Sequence, residues 1–196
     1  MYSTYTLHRF VIEIFKYEPA LYYDILNRMN YIFHTRDALK NAIDLWCCDK
    51  HTTLIKYGHI SSWDVSLITD MSELFLHKLS FNDDISKWNT SNVTDMSNMF
   101  CDATSFNCNI GNWDVSNVRD IYGMFSNTGA FNADLKKWNV SKVEDMSYMF
   151  ELAKMFNQDI SNWNTRCATN MDRMFLNSEK MQIENMNEDM KLLSLE

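Results

Sequence analysis

Residues 88–113 read WNTSNVTDMSNMFCDATSFNCNIGNW, one whole period from tryptophan to tryptophan. The phrase returns along the chain: Trp63, Trp88, Trp113, Trp138 and Trp163 are spaced 25 residues apart with no insertion or deletion between them. Phe75, Phe100, Phe125, Phe150 and Phe175 keep the same interval, as do Asp70, Asp95, Asp120 and Asp145, with Asn170 closing that series. Short units of fixed period cannot bury an apolar face alone, so they lay it on their neighbours, and equivalent residues come to lie above one another. Five units follow, at 60–84, 85–109, 110–134, 135–159 and a degenerate 160–184.

Within a unit, V-x-D-M-S-x-M-F sets Met96, Met99 and Phe100 three and four apart after Asp95, which predicts one or two helical turns capped by that aspartate. Asp70 and Glu73 have the spacing of a capping box. The stretch FNDDISKW alternates Phe81, Asp83 and Ile85 and predicts a short strand. The resulting expectation is an α/β chain: a right-handed solenoid of five 25-residue coils with an α-helical N-terminal cap over residues 1–59, the repeats over 60–184, and a C-terminal cap or tail over 185–196. The repeat also resembles that of the BspA-like leucine-rich-repeat surface-protein family. That resemblance implies a leucine-rich-repeat solenoid and links the chain to partner binding or adhesion, with related repeats in mycoplasma lipoproteins and giant viruses.

The 196 residues are 46% hydrophobic and 14% aromatic, enough for a core, and carry only four Gly and one Pro. Turns must therefore come from Asn, Asp, Ser and Thr. Net charge is −8. The repeats hold the acidity, with ten Lys and Arg against seventeen Asp and Glu over 60–184. An acidic array lacks the basic stripe that reads a phosphate backbone, so no nucleic-acid partner is expected. Five cysteines, an odd count sharing no column, fit reduced thiols and an intracellular, cytoplasmic location. The apolar run near the N-terminus is broken by Glu13 and Lys16, so neither a signal peptide nor a transmembrane segment is expected. Surface display enters only through the family resemblance.

Residues 1–59 show helical periodicity at Leu7, Phe10, Val11, Ile14 and Phe15, and again at Leu21, Tyr22, Ile25, Leu26 and Met29. A further helix is predicted from a Thr35 cap through TRDALKNAIDLWCCDK. Such a helix would cover the open end of a stack.

The candidate chemistry is thin. The Asp column reads as helix N-capping, because carboxylates stacked near 5 Å would repel unless each accepts backbone N–H bonds. A buried asparagine ladder at 82, 107, 132 and 157 is read the same way. Cys47, Cys48, His51 and His59 lack the paired spacing of a zinc site, and all five histidines lie at or before residue 77. No cofactor and no catalytic residue is assigned. Recognition falls to positions where the units differ: Arg119, Tyr122, Lys136 and Lys137 interrupt the acidic array, and the pairs Cys101-Asp102, Ser126-Asn127 and Glu151-Leu152 vary after each Phe.

The functional expectation is a non-enzymatic protein-interaction module. A cell- or virion-surface adhesin and an adaptor docking through its N-terminal helices are the alternatives, and self-association is allowed. Five coils at ~4.8 Å offer a face of only about 500–600 Å², short of the ~800 Å² per partner of a stable interface.

Overall fold

The computed structural model describes residue 21 and residues 30–193; the helical patterns expected through Leu7–Phe15 and Tyr22–Met29 lie outside them. Helix α1 spans Arg36–Cys48 and α2 spans Lys50–Tyr57. Thr35 caps α1, its side chain accepting from Ala38 N at 3.2 Å, and Asp49 ends α1 while capping α2 through Thr52 N. A single 3-10 turn, Ile60–Ser62, leads into the repeats. After them come a second such turn, Ile183–Asn185, and the short helix α3, Glu188–Leu193.

Between these ends the chain is built of turns. The expected α/β leucine-rich-repeat solenoid, with a strand and a short helix in each coil, is contradicted. Among the described residues the repeats contain no α-helix and no sheet, only isolated parallel bridges, one from Ile32 to Asp64 and a series joining Asp70, Asp95, Asp120, Asp145 and Asn170.

The reason lies at two positions of each unit. Glu73, Asn98, Gly123, Tyr148 and Arg173 all have φ between 51° and 58°, and His77, Asp102, Asn127, Leu152 and Asn177 have φ between 54° and 59°. A residue in this left-handed region ends an α-helix, and at the third position of a turn it marks type II geometry. In the first coil Leu74 N bonds Met71 O across Glu73, and Lys78 N bonds Phe75 O across His77. Two turns in succession also bring apolar residues three and four apart to one side, so the Met-x-x-Met-Phe spacing is satisfied without a helix. The aspartate that was to cap a helix caps a turn instead, and Glu73 closes no capping box.

The units nevertheless lie on one another in register. Peptide N–H groups at alternate residues, Met71, Glu73, Phe75 and His77, donate to Asp95, Ser97, Met99 and Cys101 of the next coil, and the pattern repeats at all four interfaces with 2.7–3.0 Å bonds. Another column runs the opposite way, Thr94 N to Thr69 O, Arg119 N to Thr94 O, Glu144 N to Arg119 O and Thr169 N to Glu144 O. Alternate amides therefore serve the turn and the neighbouring coil in turn, which leaves no run of residues free to form a strand ladder.

Aromatic columns fill the interior. Phe75, Phe100, Phe125, Phe150 and Phe175 stack with centroids 5.2–5.8 Å apart, and Trp63, Trp88 and Trp113 follow at 6.5 Å. The five repeat indoles are only 3–4% exposed. Each has a polar partner: Trp88, Trp113, Trp138 and Trp163 donate Nε1–H to the carbonyl of Ile60, Ile85, Ile110 and Leu135 one coil back, at 3.0–3.2 Å. A buried indole that had no acceptor would cost the full desolvation of its N–H.

At the first coil, α1 closes the core with Leu39, Ala42, Ile43 and Trp46 buried. It lies along the turn row: Arg36 at its start donates to the Ser72 carbonyl, and Asp44 near its end pairs with Lys78 at 2.7 Å. At the last coil Met186 and Met190 are buried, and Asn187 Nδ2 donates to Trp163 O at 2.9 Å.

Candidate functional site

The double turn after each Phe-bearing row presents its outer positions along one face, and there the units differ most. His77, Asp102 and Asn127 occupy one column: Asp102 receives His77 Nδ1 at 2.9 Å on one oxygen and Asn127 Nδ2 at 2.6 Å on the other. Beside them Ser126 Oγ donates to Glu151 at 3.2 Å. Further along the row the Tyr122 and Tyr148 rings meet at 5.6 Å, and the Arg173 guanidinium lies 5.7 Å from the Tyr148 centroid. Tyr122 is 39% exposed. The result is a polar, hydrogen-bonded half next to an aromatic and cationic half, on a backbone that does not vary from coil to coil.

The polar half brings a thiol, an imidazole and a carboxylate close together, the ingredients of nucleophilic chemistry. Burial, then the Asp102 charge, push the Cys101 thiol up to about 11. A nucleophilic cysteine needs the reverse environment, one that favours thiolate at neutral pH. The cluster is a hydrogen-bond network rather than a poised nucleophile.

The Asp column sits just inside this face. Asp70, Asp95, Asp120 and Asp145 each accept the backbone N–H two residues on, all at 2.8 Å, which makes them Asx turns. Ser72, Ser97 and Ser147 add a hydroxyl bond to their aspartates at 2.5–2.7 Å. Tyr122 stands where that serine would be, so Asp120 lacks the hydroxyl. Burial, followed by the charges of Asp95 and Asp145, raises the Asp120 pKa above its ordinary value.

The four residues singled out from sequence do not form one patch. Arg119 is paired with Glu144 at 2.6 Å and Lys137 donates to Asn112 at 3.2 Å, each reaching a neighbouring coil, while Lys136 pairs with Asp159 at 2.7 Å across its own unit. The Lys136 bond, with the Ser161 groups, lowers Asp159 to about 2. No hydrogen bond, ion pair or ring contact among the described residues joins Tyr122 or Arg119 to the two lysines. The partners missed from sequence are His77, Tyr148 and Arg173. The 25-residue interval would have found His77 above Asp102; the Tyr122–Tyr148 contact joins adjacent columns and leaves no such trace.

Other expected groups fall into structural roles. The Asn ladder joins coils, with Asn82, Asn107, Asn132 and Asn157 each accepting from the residue 25 positions later at 2.8–3.1 Å, but it is half-buried or exposed rather than buried. His59 packs edge-on to Trp46 at 5.0 Å, and burial lowers its pKa. No cluster of three metal-ligating side chains occurs among the described residues. On the lysine side, an open groove of about 540 Å³ is lined by Asn82, Asp84, Ser86, Lys87, Cys108, Asn109 and Asn112, all polar but for Cys108 and without an apolar anchor. No described helix is long and apolar enough to cross a membrane.

The family described as Mycoplasma protein of unknown function, DUF285, matches residues 49–151 and, in an overlapping second match, residues 109–193. The chain belongs to this family. The DUF285 span opens at the Asp49 cap of α2 and runs through every coil to the end of α3, leaving α1 outside it. No curated protein and no solved structure matches the chain.

Proposed function

We propose that the chain is a non-enzymatic protein-binding module, and that its turn face makes the contact. The observation that carries this reading is the contrast between an invariant stacked backbone and turn positions whose side chains change from coil to coil, Ser97, Tyr122 and Ser147 in one column and Asn98, Gly123 and Tyr148 in the next, with Tyr122 exposed. Paired tyrosines beside an arginine supply the residue types that dominate protein interfaces. The resemblance of the repeat to BspA-like surface proteins points the same way.

Because the face is short, binding is expected to be weak unless multivalent. The test is capture and cross-linking with the full chain, with residues 31–196, and with Tyr122→Ala/Tyr148→Ala. The reading expects one protein to be captured by the first two and lost from the tyrosine variant. Equal capture by all three would overturn the turn face, and loss only on removing residues 1–30 would move the contact to the N-terminal segment, in favour of the adaptor alternative.

A further inference from the structure

Apart from the opposed column that starts at Thr69, the four peptide rows of the double turn point one way: at every interface the lower coil supplies these N–H groups and the next coil supplies the C=O groups. Stacked peptide units thus form hydrogen-bonded chains with aligned dipoles, as in a helix, and their two ends differ chemically. At the carbonyl end α1 lies across the row and Arg36 donates to Ser72 O. At the other end the equivalent donors are the N–H groups of Met171, Arg173, Phe175 and Asn177, and these have no acceptor among the described residues. The C-terminal closure does not reach them, because its bonds are made on the Trp163 and Thr165 side of the coil. Their side chains are uncovered too: Met171 and Phe175 are only half-buried, where their column mates Met146 and Phe150 are 0% exposed.

We propose that this edge takes a segment of another polypeptide carrying the same 25-residue repeat, laid parallel to the last coil as a sixth. This names a partner class for the interaction role proposed above and rests on that reading, at an end of the stack rather than on its turn face. The interior interfaces specify the occupant. Four times, the same row of donors is met by four carbonyls at alternate residues, with a Met and a Phe of the incoming coil covering those below. An added chain gains main-chain bonds for affinity and side-chain columns for specificity, the logic of strand addition applied to turns. A whole second copy stacked head to tail does not fit, since its carbonyl row lies beneath α1. A bound oxyanion would satisfy N–H groups but leave Phe175 uncovered.

The test uses the full chain labelled with ¹⁵N and a synthetic peptide copying residues 138–162. Saturable shifts centred on the Met171, Arg173, Phe175 and Asn177 amides are expected, with exchange slowed about tenfold or more at those four and unchanged at Met96 and Phe100. A scrambled peptide should be silent, and Phe175→Asp should lose the response while the amide spectrum of the inner coils stays as it was. The proposal is overturned by no saturable shift, by equal shifts from the scrambled peptide or from inorganic phosphate, by a response centred elsewhere, or by slow exchange of the four amides in the dilute free chain. Tyr122→Ala/Tyr148→Ala should keep the peptide response, so a failure of the edge and a failure of the turn face are read separately.

Discussion

Replacing Trp113 with alanine is the sharpest perturbation of the stack. The indole is in the middle coil, 4% exposed, 6.5 Å from Trp88 and 6.2 Å from Phe100, and its Nε1–H donates to Ile85 O at 3.1 Å. Truncating a buried Trp costs about 3–5 kcal/mol, within which the loss of the acceptor's partner accounts for about 1 kcal/mol. With a urea dependence near 2 kcal/mol/M, equilibrium unfolding should shift its midpoint down by roughly 1.5–2.5 M. Trp113→Phe keeps a ring in the column while removing the donor and a smaller part of the buried volume, so a lesser loss of about 1–2 kcal/mol is expected. A loss below about 1 kcal/mol for Trp113→Ala would refute the reasoning, because no indole held between two coils can be removed so cheaply.

Three further outcomes follow from local geometry. Glu73→Gly relieves a left-handed φ of 57° at an exposed position and should stabilise by about 0.5–1 kcal/mol, whereas Gly123→Ala places a Cβ 2.5 Å from Asn98 Oδ1 at the same φ and should destabilise by about 1–2 kcal/mol, both read by thermal unfolding. Tyr122→Ser restores the hydroxyl that Asp120 lacks, so the Asp120 pKa, followed by carbon-detected NMR titration, should fall and stability at pH 7 should rise by about 1 kcal/mol. Hydrogen bonds from Ser66, Ser86 and Ser116 lower the pKa values of Asp64, Asp84 and Asp114, so their stabilisation is complete above the ordinary value of 3.8 and is lost as the pH falls below it; Asp120, shifted up, works in the opposite sense. Asp44, Asp49 and Asp159 are shifted down as well, so with six carboxylates against one the unfolding midpoint should drop on acidification below about pH 4, and a midpoint that rises there would contradict this balance.

The sequence shows the period and its columns because a 25-residue interval without insertions is visible in Trp63 through Trp163, and in the structure the rings of Trp63, Trp88 and Trp113, and those of Trp138 and Trp163, stack. It does not show what the backbone does between columns. Of the ten left-handed residues of the double turns, Asn98, Asp102, Gly123, Asn127 and Asn177 are turn formers, but Glu73, His77, Tyr148, Leu152 and Arg173 share their columns and carry no such signature. Their conformation is imposed by stacking, since a peptide group must turn outward to reach the coil above. The three- and four-residue spacing of Met96, Met99 and Phe100 is thus met by two turns and not by a helix. The candidate site was harder still. Arg119, Lys136 and Lys137 stand out as cations in an acidic chain, yet each is matched to an acceptor far along the chain, whereas the Tyr122, Tyr148 and Arg173 cluster arises only once adjacent columns are folded side by side.

The account depends on peptide groups of one unit bonding those of the next, and nuclear Overhauser contacts from the backbone amides of Met96, Asn98, Phe100 and Asp102 measure that arrangement directly. Cross-peaks should link each of these amides to residues 24 or 25 positions later, around Asp120, Tyr122, Met124 and Ser126. Sequential and i,i+3 contacts continuous through Met96–Asp102, with nothing reaching the third unit, would contradict it.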